Sequence, residues 1–328
     1  KQAWEEIDAL YIPPDYKNVN NVVVSGMGGS ALGARIIDSY IVDTIRLPIE
    51  IYNEYHLPNY VNEDTLVISY SYSGNTEETI NATYEALKRN AKVFCITTGG
   101  DLAMIAKKEK LPSYIFNPTN NPSNEPRMSL GYSIGAYLSL FHKLGFISLD
   151  RDSLDDAINF MYRILTEFNE NIDSDRNLPY KYAVSFKNYI PILIASEYLY
   201  GIAYAIKNQL NENAKTFSFI FDIPELNHHL LEGLQYPLQN RLNLKFLFFD
   251  SKIYSERIQK RYKITMDVIE KNGYDYMVYK PISENKLNQL FEVFIFGSLV
   301  AYHMSKIRNV DPLVIPWVDY FKKQLAKV

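Results

Sequence analysis

Between Asn21 and Lys143, apolar runs too short for a helix alternate with stretches of helical period, and this alternation constrains the fold most. Asn21–Ser25 reads as a buried strand, followed by the turn Gly26-Met27-Gly28-Gly29-Ser30 and a helix over about Ala31–Tyr40. Thr65–Tyr70 reads as a second strand, ended by a Ser/Gly/Asn loop and a helix through Lys88. Lys92–Thr97 is a third, followed by Gly99-Gly100 and a helix over Asp101–Lys108; Ser113–Phe116 is a fourth, with a closing helix over Met128–Lys143. Strands separated by helices of this length predict parallel strands joined by helical crossovers.

After the polar stretch Ile147–Ser153 the same pattern restarts. Helix Leu154–Glu170 leads to a strand at Tyr189–Ala195 and a helix from Glu197 to about Leu210. A short helix follows Pro224; Leu244–Phe249 and Tyr276–Tyr279 read as strands around a helix over Glu256–Lys271. Helices over Glu284–Met304 and Trp317–Lys327 finish the chain. The expected fold is α/β: two doubly wound domains, 1–150 and 151–328, each a parallel sheet flanked by helices. A chain of 328 residues is long enough for both.

Composition narrows the partners. A formal charge of -4 argues against nucleic acid or an anionic membrane, either of which favours a basic excess. The longest apolar runs, around Ile190–Ala195 and Phe294–Met304, read as too short to cross a bilayer. The first ten residues carry Lys1, Glu5, Glu6 and Asp8, so no secretory signal is expected there. One cysteine, Cys95, rules out a disulfide within the chain; in the run Val93–Ile96 it reads as a buried, inert thiol. A cytoplasmic protein is expected.

Two loops point to a ligand. Gly26-Met27-Gly28-Gly29-Ser30-Ala31 satisfies the dinucleotide pattern G-x-G-x-x-A, and Glu54 lies where a ribose-binding acid is expected. The pattern alone says only that an anion suits this helix start, because glycine also serves tight turns. The second loop is more specific. Ser69, Ser71, Ser73 and Thr76 surround Gly74-Asn75 just before a helix that opens Glu77-Glu78. Hydroxyls beside free first-turn amides can donate to phosphate oxygens, and the helix dipole adds positive charge. Ordinary capping by Thr76 explains one hydroxyl and the acids, but not the density of serines. A P-loop fails, since no Gly-Lys-Ser/Thr follows.

Ser25-Gly26-Met27-Gly28-Gly29-Ser30, with Ser71-Tyr72-Ser73-Gly74-Asn75-Thr76-Glu77-Glu78-Thr79, resembles the sugar isomerase (SIS) domain. Over nearly its whole length the chain resembles the bifunctional phosphoglucose/phosphomannose isomerases, as a tandem pair of SIS domains. The resemblance implies that Gly28, Gly29, Ser30, Ser71, Ser73 and Thr76 hold a sugar's phosphate.

Aldose–ketose isomerisation needs ring opening, a base that shuttles a proton between C1 and C2, and support for the enediolate. On its own, Glu212 reads as a solvated helix end with Lys215 complementing the dipole; resemblance to an Asn-Glu-Asn-Ala-Lys segment implies that it is the shuttling base. A Pro-Glu-x-x-His segment selects His228 for ring opening, although His229 stands where the family commonly has Asn. The resemblance further implies a homodimer in which this histidine comes from the neighbouring subunit. Arg127, a cation at a helix start, opposes the dipole, and the family's Pro-Arg implies that it stabilises the enediolate; Glu125 offers it a simple ion-pair partner. Lys306, at a helix end where basic residues are expected anyway, matches a functional lysine before Val-Asp-Pro better than Arg308 does. Ser298 is the nearest candidate for a hydroxyl linked to mannose tolerance.

The five histidines, with one cysteine, show no spacing that suggests a metal site, and no cofactor is expected. The 27 tyrosines read as core residues rather than a stacking platform for nucleic acid. The rivals are a sugar-phosphate sensor that binds without reacting, an isomerase for another sugar phosphate, and an NAD dehydrogenase.

Overall fold

The computed structural model describes residues 1–169, 172, 174–325 and 327. They form two compact units that divide between Leu154 and Asp155.

Unit 1 is built on five parallel strands: β1 (Asn21–Gly26), β2 (Ile49–Tyr52), β3 (Thr65–Tyr70), β4 (Lys92–Thr97) and β5 (Ser113–Ile115). Their order is β2-β1-β3-β4-β5. Register places Val24 beside Ile51 on one side and Ile68 on the other, and Ile68 beside Phe94. β1, β3 and β4 are covered on both faces, which is why their sequences are nearly unbroken apolar runs rather than alternations. Helices α1 (Gln2–Asp8) and α2 (Gly29–Ile41) pack with α5 (Leu130–Lys143). Helices α3 (Glu77–Lys88) and α4 (Gly100–Lys108) cover a core of Val23, Val67, Ala82, Ala86, Val93, Cys95, Leu102 and Ala106. Cys95 is fully buried there, and burial pushes its thiol up to about 12, so it stays protonated and inert.

Helix α6 (Arg151–Glu167) joins the units; Glu170, the expected end of this helix, lies outside the described residues. Unit 2 holds α7 (Leu178–Phe186), β6 (Ile190–Ala195), α8 (Tyr200–Glu212) and β7 (Phe219–Asp222). Two single turns follow, α9 (Leu230–Gly233) and α10 (Asn240–Asn243). The chain continues through β8 (Leu244–Phe249), α11 (Glu256–Lys271), β9 (Asp275–Tyr279), α12 (Lys286–Ile307) and α13 (Pro316–Leu325). The sheet is again parallel, in the order β7-β6-β8-β9.

Three expectations are corrected. The helix anticipated from Glu197 starts at Tyr200, because Glu197 has φ +46° and a 3-10 turn, Glu197–Leu199, intervenes. The last long helix runs over Lys286–Ile307 rather than Glu284–Met304, with Lys306 in its last turn, at the helix end as expected. That helix, at 22 residues, is also long and apolar enough to cross a bilayer, against the sequence estimate. Two thirds of its most apolar window is buried against neighbours that include α7 and α8, as suits a core helix.

Candidate active site

In an open parallel sheet, ligands bind beyond the carboxyl ends of the strands where the strand order reverses. In unit 1 that point lies between β1 and β3, since β2 is added on one side of β1 and β3, β4 and β5 on the other. The glycine turn leaves β1 here and the hydroxyl loop leaves β3. Both lead straight into helices, α2 and α3, whose first-turn amides have no acceptor within the helix.

The loop is pinned from within. Gly74 has φ +75°, and a Cβ there would stand 1.8 Å from the Gly99 carbonyl oxygen, so only glycine fits. The Gly74 amide donates to Ser71 Oγ at 3.0 Å, and Ser71 Oγ lies 2.8 Å from Thr76 Oγ1. Thr76 precedes α3 but makes no side-chain bond to its first turn, so its hydroxyl is committed to Ser71 rather than to capping. Ser73 is exposed, its Oγ accepting from the Asn75 amide at 3.3 Å. Ser30 Oγ, on the first turn of α2, accepts from the Tyr72 amide at 3.1 Å and ties the two loops together. Gly28 is exposed before that helix, with open space where a side chain would begin. Ser69 is corrected: it is buried in β3 and accepts a bond from Thr83 at 2.8 Å, so it is no part of this cradle.

Arg127 joins the cradle through the backbone. It sits in the 3-10 turn Pro126–Met128, and a Cβ on Gly29 would stand 3.1 Å from its amide nitrogen. Its side chain is buried, with a relative exposure of 4%, and Nη1 donates to Glu125 Oε2 at 2.6 Å. A buried cation beside a helix start is costly alone, and the Glu125 carboxylate offsets that cost. Glu54, the acid of the dinucleotide pattern, is exposed; Asn53 beside it donates to the Gly26 carbonyl instead. The observed strand order also differs from the dinucleotide-binding order.

In unit 2 the candidates fall at two ends. Helices α8 and α12 run in the same direction: Tyr198, just before α8, bonds Gln289 near the start of α12, and Ser298 Oγ donates to Gln209 Oε1 at 3.0 Å further along. Both helices leave the carboxyl edge of the sheet and return to its amino edge. Glu212, the last residue of α8, and Lys306, in the last turn of α12, therefore share the amino edge. The Lys215 ammonium donates to the Glu212 carbonyl at 2.6 Å, completing the helix end. Arg308 is engaged with the Lys187 carbonyl at 3.0 Å, while Lys306 is exposed.

His228 and His229 lie at the opposite edge. They follow β7 directly in the turn after Pro224, and both are exposed. A helix of thirteen residues spans about 20 Å, so within one chain the His228 end and the Glu212 end of this unit are far apart.

Unit 2 has its own switch point, between β6 and β8. There the Glu197 carboxylate accepts from Ser255 Oγ at 2.7 Å and from the Ser255 amide at 3.2 Å, sitting at the start of α11. Among the described residues no three His, Cys, Asp or Glu side chains gather as a metal site would require.

The sequence reading passed over Tyr72, Asn121 and Asn124. Tyr72 Oη accepts from Asn121 Nδ2 at 2.9 Å and donates to Asn124 Oδ1 at 3.2 Å. The signal available was a tyrosine in the middle of the hydroxyl loop and an Asn-rich segment, 120–124, just before Arg127.

Comparison with known proteins shows what the whole chain is similar to. Residues 15–130 match the SIS domain, and residues 175–325 match the bacterial phospho-glucose isomerase C-terminal SIS domain. The bifunctional phosphoglucose/phosphomannose isomerase of Caldicellulosiruptor bescii is 30% identical, across 100% of this chain and 96% of its own. That of Thermoplasma volcanium is 31% identical over 94% of this chain and 92% of its own. A crystal structure of a hypothetical protein from Thermus thermophilus shares the fold with a TM-score of 0.75 at 15% identity, covering 99% of this chain and 86% of that one. With two parallel-sheet units, a hydroxyl-lined switch point and full-length identity at this level, the chain is an isomerase and belongs to the bifunctional phosphoglucose/phosphomannose isomerase family.

Proposed function

We propose that the chain interconverts fructose 6-phosphate with glucose 6-phosphate and with mannose 6-phosphate, without a metal ion or other cofactor. The observation that carries the reading is the Ser71–Thr76 loop: paired hydroxyls and helix-start amides at the switch point suit the dianionic end of a sugar phosphate. Gly28, Gly29, Ser30, Ser71, Ser73 and Thr76 hold that phosphate. His228 and Lys306 open the ring. Glu212 takes a proton from the carbon beside the carbonyl, the electron pair moves to the carbonyl oxygen, and a cis-enediolate forms. Arg127 stabilises the developing oxyanion, and Glu212 returns the proton to the neighbouring carbon. His228 comes from a second copy, which the separation of the His228 and Glu212 ends supports. The working form is then a cytoplasmic homodimer that needs neither nucleic acid nor membrane.

The test is to incubate the protein with fructose 6-phosphate in EDTA and assay both aldose phosphates. Both are expected to form. No aldose product from any hexose phosphate overturns the reading, and activity lost in EDTA but restored by a divalent metal overturns its metal-free part.

A further inference from the structure

We propose that Tyr72 is a positioning residue that fixes Arg127 relative to the bound phosphate, an assignment that rests on Arg127 meeting the oxyanion. The substrate requires such a part. Its phosphate is on C6 and its reacting carbons are C1 and C2, so the protein must hold two anionic ends at one span.

Tyr72 is tied on every side. Its amide donates to Ser30 Oγ at 3.1 Å, and its carbonyl accepts from the Thr98 amide at 3.0 Å and Thr98 Oγ1 at 2.7 Å. The main chain thus belongs to the phosphate cradle. The side chain belongs to the arginine: Asn121 Nδ2, which donates to Tyr72 Oη, also donates to the Glu125 carbonyl at 3.0 Å. Ser123 completes the brace, donating to Asn121 Oδ1 at 2.7 Å and accepting from the Glu125 amide at 3.2 Å. Glu125 then holds the guanidinium at 2.6 Å. The ring itself packs edge-on against Phe116, 5.9 Å between centroids, a contact that phenylalanine would keep. Burial holds the phenol above its ordinary range, so near neutral pH the hydroxyl keeps its proton and can both give and accept a bond.

The experiment is steady-state kinetics of Tyr72→Phe on fructose 6-phosphate, with inorganic phosphate as a competing probe. The expected result is a kcat about 10-fold lower, as a small misplacement near the reacting atoms produces, with the inhibition constant for phosphate unchanged. In an Arg127→Ala background, Tyr72→Phe should cost nothing further, because the two act as one unit. Wild-type kcat in Tyr72→Phe, or a loss confined to phosphate affinity, overturns the inference. Asn121→Ala cuts the brace from its other side and is expected to reproduce the kcat loss, should the first variant fold poorly. Arg127→Ala with full turnover would instead refute the reading of Arg127; an inactive Arg127→Ala beside a normal Tyr72→Phe refutes only the role of Tyr72.

Discussion

At the scale of single residues, the loop is organised before any ligand arrives. Ser71 and Thr76 share a hydrogen bond, and Ser71 also accepts from the Gly74 amide, so neither hydroxyl waits in a random rotamer. On the proposed reading, a phosphate oxygen replaces one partner without reordering the chain, which keeps the cost of binding low. Thr76→Val should therefore raise KM for the sugar phosphate about 10-fold, since bonds to a charged acceptor are the strong ones, with a smaller change in kcat. Steady-state kinetics decide it, and an unchanged KM removes Thr76 from the cradle. Glu212→Gln keeps the shape of the side chain and removes the base. Its kcat should fall by about a thousandfold or more, while the phosphate inhibition constant stays put. Retained turnover would take Glu212 out of the reaction.

At the scale of elements, strength lies where the hydroxyl loop meets the turn after β4. Gly74 contributes no side chain and a left-handed backbone, and the Leu102 amide donates to its carbonyl at 2.9 Å. Gly74→Ala meets both a backbone penalty of about 1–2 kcal/mol and an overlap with Gly99. Urea denaturation should show at least that loss, together with weakened phosphate binding; wild-type values for both would mean the loop is less fixed than its contacts imply. The elements themselves were legible where they are buried: β1, β3, β4, β6 and β8 announce themselves as apolar runs. Of the edge strands, β2 and β7 did not. Ile49-Glu50-Ile51-Tyr52 is short and half-exposed, with a charge in its middle, and Phe219–Asp222 is the exposed margin of the second sheet. Helix α7 carries Pro179 in its first turn, which reads as a break until the Asn177 side chain is seen capping the Tyr180 amide. The hydroxyl loop stood out by composition, whereas Tyr72 is one of 27 tyrosines and shows its use only through partners about fifty residues away.

For the whole molecule, the separation of edges within unit 2 has a genetic consequence. A Glu212→Gln chain and a His228→Ala chain should each be inactive alone. In a two-fold dimer that shares its sites, mixing them creates one site with both groups intact in every mixed pair. Random exchange should then restore about a quarter of wild-type activity, measured on the co-refolded or co-expressed mixture. No restoration above the single variants would place His228 and Glu212 in the same chain's site or outside the reaction. The Glu197 carboxylate carries a different consequence. The fold occurs twice, yet in the second copy of it an internal anion already rests at the helix start that faces the switch point. Doubling the architecture has not doubled the vacancies: on the proposed reading each chain takes up one phosphate, and saturation is expected to follow a single binding isotherm.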